Sequence, residues 1–103
     1  MKKKIAILGS TGSIGKSALE VIRKNKKDFE VVLLTANVNY KKLINQAREF
    51  KVKNVLINNE KFYLKVKNSL KKTKVYTGNF SIDKIIKSKL DYTISGIVGI
   101  AGL

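Results

Sequence analysis

The sequence predicts an α/β fold, a doubly wound parallel sheet with helices on both faces. Three observations predict it. Short apolar runs alternate with stretches in which apolar residues recur at helical spacing, the signature of successive βαβ units. The first apolar run, Ile5-Ala-Ile-Leu8, passes directly into Gly9-Ser-Thr-Gly12-Ser-Ile-Gly15 and then into a helical pattern. The chain has 103 residues with no proline, repeat or linker, enough for one domain with one modest core.

Each element follows from local pattern. Lys4 to Leu8 reads as a buried parallel strand that ends at Gly9. Ile14, Ala18, Val21 and Ile22 mark the inner face of the first helix, with Lys16, Glu20, Arg23 and Lys24 facing out, and the helix fades at Asn25-Lys-Lys-Asp28. Phe29 to Thr35, containing Val31-Val-Leu-Leu34, is the second strand. Asn37-Val-Asn39 is a short loop, and Asn39 is placed to cap the helix that carries Leu43, Ile44, Ala47 and Phe50. Val52 to Ile57 is the third strand, and Asn58 or Asn59 caps a helix with Phe62, Tyr63, Val66 and Leu70 on one side. Lys74 to Thr77 makes a fourth strand, Gly78-Asn79 turns the chain, and Ser81 caps a short helix with Ile82, Ile85 and Ile86 inside. Leu90 to about Ile97 is the fifth strand, bracketed at its end by Gly96 and Gly99.

Composition narrows the chemistry. Apolar residues at 44% and charged residues at 28% fit a globular chain and not a disordered one. With no cysteine there is neither a disulfide framework nor a thiolate metal site, and with no histidine the commonest metal ligand and general base are missing. The apolar run after Met1-Lys-Lys-Lys4 is too short for a signal-peptide core, and Ile94 to Leu103 is about half the length a bilayer crossing needs. The expectation is a cytoplasmic protein that does not enter the membrane. The apolar stretch Ser95 to Leu103, where another helix should begin, leads us to expect a fragment of a longer chain.

The formal charge of +15 admits two explanations, a lysine-rich surface or a nucleic-acid footprint. Only Arg23 and Arg48 could supply guanidinium forks, and no helix-turn-helix spacing or base-stacking aromatic motif accompanies the lysines. The surface reading is preferred, so no specific nucleic-acid partner is expected. A basic α/β nucleic-acid-binding module without enzymatic activity stays as the alternative.

The glycine loop carries the functional signal. Three glycines spaced three apart, between a buried strand and an amphipathic helix, form a phosphate cradle that makes the fold Rossmann-like. Thr11 and Ser13 add hydroxyl donors. A tight strand-to-helix turn that binds nothing would share the glycines, but this loop sits at the carboxyl end of a strand, where open α/β sheets place ligands. At the end of the second strand, NAD enzymes usually carry a carboxylate for the ribose 2′-hydroxyl. Here stand Thr35-Ala-Asn-Val-Asn39, followed by Lys41 and Lys42, which favours NADP over NAD. Asp28, Glu30, Glu49, Glu60, Asp83 and Asp91 show no paired spacing for a metal or for acid–base work. For Asp91 a role in capping or solvation is expected, not catalysis.

Ile7-Leu-Gly-Ser-Thr-Gly-Ser-Ile-Gly15, followed by Ser17-Ala-Leu-Glu-Val-Ile22, resembles the amino-terminal signature of the 1-deoxy-D-xylulose-5-phosphate reductoisomerases. Ala36-Asn-Val-Asn39 resembles that family's adenosine-phosphate loop, and Ile97-Val-Gly-Ile-Ala-Gly-Leu103 resembles the segment after its fifth strand. The resemblance implies that residues 1–103 are an NAD(P)-binding Rossmann-like domain, the amino-terminal part of a longer enzyme. That enzyme uses NADPH to isomerise and reduce 1-deoxy-D-xylulose 5-phosphate to 2-C-methyl-D-erythritol 4-phosphate, in non-mevalonate isoprenoid biosynthesis. It implies a homodimer that needs Mg²⁺ or Mn²⁺ in the full-length protein. Carried over by position, Thr11, Gly12, Ser13 and Ile14 match the pyrophosphate and ribose contacts, and Asn37, Val38 and Asn39 match the loop around the 2′-phosphate. Many members carry a basic residue where Val38 stands, so Lys41 or Lys42 is expected to meet the 2′-phosphate instead. The resemblance places the catalytic and metal-binding residues outside this sequence, and none is assigned within it.

Overall fold

The computed structural model describes residues 2–78, 82–86 and 89–96. The expected strands are β1 (Lys3–Leu8), β2 (Phe29–Ala36), β3 (Asn54–Ile57), β4 (Lys74–Thr77) and β5 (Tyr92–Ser95). The helices are α1 (Ser13–Lys24), α2 (Tyr40–Phe50), α3 (Tyr63–Ser69) and α4 (Ile82–Ile85), with a 3₁₀ turn at Glu60–Phe62 before α3. All strand pairings are parallel, in the order β4-β3-β2-β1-β5. This is the Rossmann-like α/β architecture that the sequence predicts.

The strand order explains which face each helix covers. From β1 the chain steps outward through β2, β3 and β4, then returns across the sheet to place β5 on the other side of β1. Right-handed crossovers put helices on one face while the chain moves one way and on the opposite face when it reverses. Accordingly Leu19 and Ile22 of α1, Leu43, Ile44 and Ala47 of α2, and Val66 of α3 share one core with Ile5, Ile7, Val55 and Ile57. The opposite face, built from Ala6, Val32, Leu33 and Leu56, is covered by Ile85 of α4 together with Ile86. Alternation is strict in β1 and β3 but breaks in β2, where a register shift opposite Ile5/Ala6 leaves Val32 and Leu33 both on the second face. The continuous apolar run Val31–Leu34 is buried on both sides, as the expectation of a central strand requires.

Three expectations need correction. The inner stripe of α1 is Gly15, Ala18, Leu19 and Ile22; Ile14 and Val21 are 48% and 58% exposed. Gly15, not Ile14, is the first-turn residue seated against the loop, where a Cβ would lie 2.5 Å from Ser10 Cα. Val52 does not start the third strand. Lys51 closes α2 in the left-handed region (φ 51°), and the Val52 amide then bonds Ala47 O at 3.0 Å with its side chain fully buried. The fifth strand is shorter than expected at its start, with Leu90 packing half-buried on the second core. Expectations for Asn79, Ser81, Ile97 and Gly99, for the side chains of Ile82 and Asp83, and for the segment 97–103 lie outside the described residues.

Capping follows the sequence. The Asn39 side chain accepts from the Lys42 amide at 3.4 Å, and the Asn59 side chain accepts from the Lys61 amide at 3.0 Å. Asp91 accepts from the Lys4 amide at 2.7 Å while its own amide donates to Lys4 O at 2.8 Å, which fixes the start of the β1–β5 pairing. Arg23 of α1 binds both carboxylate oxygens of Glu49 on α2, one of them at 2.8 Å. That hydrogen bond, reinforced by the guanidinium charge, holds the Glu49 pKa below its ordinary value. A carboxylate with a lowered folded-state pKa stabilises above its unfolded pKa and loses that contribution as pH falls through the folded value. Arg23→Gln is therefore expected to lower the melting temperature modestly at pH 7, with the difference closing toward pH 3 in thermal melts; the pair is half exposed, so the effect is small.

Candidate functional site

Because β1, β2 and β5 are parallel neighbours, the loops leaving β1 and β2 and the end of β5 meet at one edge of the sheet. The chain reverses its direction of travel across the sheet at this point, between β1 and β5. A crevice outside the carboxyl ends of strands at such a reversal is the general ligand position of open α/β sheets.

The glycine loop is held from behind and open in front. Gly9 turns the chain in the left-handed region (φ 73°), and its amide donates to Thr35 Oγ1 at 2.9 Å. The Ser10 amide donates to Thr35 O at 2.9 Å, and the Gly12 amide donates to Gly9 O at 3.2 Å. Ser10 is fully buried and gripped twice by Gln46 of α2: its hydroxyl donates to Oε1 at 2.7 Å, and its carbonyl accepts from Nε2 at 3.0 Å. In contrast, the amides of Thr11, Ser13, Ile14 and Gly15 make no hydrogen bond to the described residues. They are the uncapped start of α1. Gly12 at the N-cap offers no side-chain cap, and the first turn contains no acidic residue. A helix start with free amides, a positive dipole end and no carboxylate nearby is suited to an anion.

The three loop glycines and Gly96 serve different purposes. A Cβ on Gly15 would lie 2.5 Å from Gly9 O and from Ser10 Cα, so Gly15 is what lets α1 sit against the loop. A Cβ on Gly96 would lie 3.0 Å from Gly9 O and 3.1 Å from Gly15 N, so the end of β5 packs closely on the same turn. A Cβ on Gly12 would meet nothing nearer than Gly9 O at 3.6 Å, and Gly12 is exposed. Among the described residues there is room for a Cβ at Gly12.

The sequence-predicted residues fall into two neighbouring groups. Thr11, Gly12, Ser13 and Ile14 form one rim, at the start of α1, and Asn37, Val38 and Asn39 form the second, between β2 and α2. Asn37 O accepts from the Asn59 amide at 3.1 Å, which ties the second rim to the end of β3. The oxygen of the Asn39 side chain is already engaged as the α2 cap, and Val38 presents an apolar side chain that is 52% exposed. Lys42, in the first turn of α2, meets Lys16, in the first turn of α1. Hydrogen bonding to Lys16 and repulsion from it hold the Lys42 pKa below its ordinary value. No carboxylate among the described residues forms an ion pair with either lysine.

Three contributors lie outside the stretches the sequence points to, Gln46, Gly96 and Lys16, and Thr35, which lies within one, serves as an anchor for the loop. Gln46 had a visible signal, an amide side chain lying within the stripe Leu43, Ala47, Phe50 where an apolar residue would be usual. Lys16 looked like one more outward lysine, because the approach of α1 to α2 is a tertiary fact. The lysine-rich groove lined by Lys51, Lys53, Lys71 and Lys72 lies at the other end of the sheet, beside the carboxyl ends of α2 and α3, where cations offset the helix dipoles.

A family model described as 1-deoxy-D-xylulose 5-phosphate reductoisomerase matches residues 5–103. The chain belongs to this family. Among reductoisomerases, the one from Pelagibacter ubique (strain HTCC1062) is 47% identical over 105 residues, covering 98% of this chain and 27% of the relative. The Zymomonas mobilis reductoisomerase, solved in complex with NADPH, superposes with a TM-score of 0.87 at 30% identity, over 96% of this chain and 27% of that one. A reductoisomerase structure in complex with NADPH, fosmidomycin and magnesium gives 0.84 at 27% identity, over 94% of this chain and 25% of that one. The chain thus spans about a quarter of the length of the relatives it matches. Among the described residues no group of three or more His, Cys, Asp or Glu could hold a metal ion, and no helix is long and apolar enough to cross a membrane.

Proposed function

We propose that this chain is the NADPH-binding domain of a 1-deoxy-D-xylulose-5-phosphate reductoisomerase. One observation carries the reading: the amides of Thr11, Ser13 and Ile14 make no hydrogen bond to the described residues and lie beside an exposed Gly12, where the described residues leave room for a Cβ. Bound there, NADPH supplies the reducing equivalent for the family's reaction. The Thr11, Ser13 and Ile14 amides and the Thr11 and Ser13 hydroxyls bind the pyrophosphate, and Gly12 lets the backbone approach it. Asn37, Val38 and Asn39 border the adenosine, with exposed Val38 offering apolar contact. Lys42 and Lys16 supply the positive charge for the 2′-phosphate that the position of Val38 does not.

The wider reading rests on the family. Residues 1–103 form one domain, the amino-terminal part of a longer cytoplasmic, homodimeric enzyme. With Mg²⁺ or Mn²⁺ it converts 1-deoxy-D-xylulose 5-phosphate to 2-C-methyl-D-erythritol 4-phosphate. The metal and substrate ligands and all catalytic groups are supplied by chain other than these residues. The solved relatives that contain NADPH, magnesium and fosmidomycin support it.

Titration of the chain with NADPH and NADH by fluorescence or calorimetry tests the assignment. NADPH is expected to bind more tightly than NADH. Lys42→Gln is expected to weaken NADPH by about tenfold, the worth of one charge-assisted phosphate contact, and to leave NADH unchanged. Equal, weak binding of both nucleotides by the unmodified chain would refute the reading.

A further inference from the structure

We propose that Gln46 is a positioning residue for the cofactor: it aims the Thr11 amide at the pyrophosphate by holding the carbonyl of Ser10 from behind. The inference rests on the NADPH reading above and concerns how the cradle is set.

The Ser10 carbonyl and the Thr11 amide belong to one peptide unit, and no peptide bond among the described residues is cis. In a trans peptide the C=O and the N–H point in opposite directions. Gln46 Nε2 donates to Ser10 O at 3.0 Å, so the carbonyl faces α2 and the Thr11 N–H faces away from it. That N–H makes no hydrogen bond to the described residues, which leaves it free for a ligand at the mouth.

The preceding peptide is pinned by other groups. There the Ser10 amide donates to Thr35 O, and the Gly9 carbonyl accepts from the Gly12 amide. For the peptide between Ser10 and Thr11, the bond from Gln46 is the one tie among the described residues. Loss of it would free that unit to rotate in a loop rich in glycine.

The amide side chain is matched to the task in both its halves. Nε2 donates to a carbonyl that can only accept, and Oε1 accepts from the Ser10 hydroxyl at 2.7 Å, so the two bonds fix which way round the amide sits. Both partners lie on Ser10, which is fully buried, so water does not compete for them. An unpaired carbonyl at that depth is costly. When Gln46 is lost, the peptide can rotate its carbonyl toward the solvent at the mouth, and it then presents an acceptor where a phosphate oxygen should meet a donor.

The test uses two variants. Gln46→Met keeps the length and helix preference but removes both bonds. Gln46→Glu keeps the acceptor for the Ser10 hydroxyl and places a second carboxylate oxygen against the Ser10 carbonyl. Both are expected to weaken NADPH and NADH alike, by about tenfold, because the pyrophosphate is common to the two. In ¹⁵N-resolved NMR titrations the Thr11 amide should shift strongly on addition of nucleotide in the unmodified chain and weakly in both variants, while Ser13 and Ile14 still respond. A merely structural role for Gln46 would depress all three amides together.

Unchanged affinity in both variants, a loss confined to NADPH, or an undiminished Thr11 shift would overturn the proposal. If the unmodified chain binds neither nucleotide, the NADPH reading fails by itself. Inorganic pyrophosphate is then the probe: a Thr11 shift present in the unmodified chain and lost in Gln46→Met supports the positioning role. The same response in both, or none in either, overturns it.

Discussion

Gly12→Val is expected to weaken NADPH binding by about 100-fold or more, because the second glycine of such a loop is where the backbone must approach the pyrophosphate without a side chain between them. The backbone at Gly12 is extended (φ −82°, ψ −179°), a conformation that valine adopts freely. The position is exposed, and among the described residues the nearest atom to a new Cβ is an ordinary contact distance away. Melting temperature should therefore change little, and affinity should fall. Isothermal titration together with a thermal melt reads both. A variant that binds NADPH like the unmodified chain would show that the cofactor does not pass over this glycine. The same substitution separates the cofactor site from any general attraction of a chain with a formal charge of +15 for polyanions, since it alters no charge.

Gly15→Ala is expected to act in the opposite way, through stability. The new methyl carbon would lie 2.5 Å from Gly9 O and from Ser10 Cα, both of them backbone atoms that cannot rotate aside. Overpacking of this kind costs about 3 kcal/mol at the upper end of the usual range. Alanine returns about 1 kcal/mol through its helix propensity. The net loss of about 2 kcal/mol corresponds to a fall in melting temperature of roughly 8–16 °C for a domain of this size. Differential scanning calorimetry measures it directly. A stable Gly15→Ala variant would mean that α1 can move outward at little cost, and that the tight seat of its first turn is not required by the fold. Taken together, the two substitutions assign ligand approach to one glycine and helix seating to the other, three residues apart.

The fold was legible because its elements are announced locally. Val31–Leu34 is apolar without alternation, as a strand covered on both faces must be, and Asn39 and Asn59 stand where helices need caps. The errors in the helices and strands came from contacts that no window of sequence contains. Ile14 has the spacing of a core residue, yet Gly15 is the residue seated against Ser10, and Ile14 is 48% exposed. Val52 looked like a strand residue because it is apolar and next to apolar neighbours, whereas its amide and side chain complete the end of α2. At the site, the amides of Thr11, Ser13 and Ile14, which make no hydrogen bond to the described residues, lie in the stretch that the glycine pattern singles out. The residues that hold the loop, Thr35 and Gln46, are 25 and 36 positions away from Ser10 and come to it only through the sheet order. The meeting of Lys16 with Lys42 has the same origin.

The placement of β5 bears on how the cradle comes into being during folding. β1 pairs with β2 across a separation of 26 residues, as Ile5 with Val31, but with β5 across 87, as Ile5 with Tyr92. Closing the longer loop costs more chain entropy and gains nothing until the last strand docks, so a nucleus is favoured among the sequential units from β1 to β4. Gly96, which presses on Gly9 and Gly15, arrives only with that late docking step. A chain folded as far as β4 has its glycine turn but not the strand end that braces it, and a dinucleotide bound at the finished mouth would hold the last strand in place.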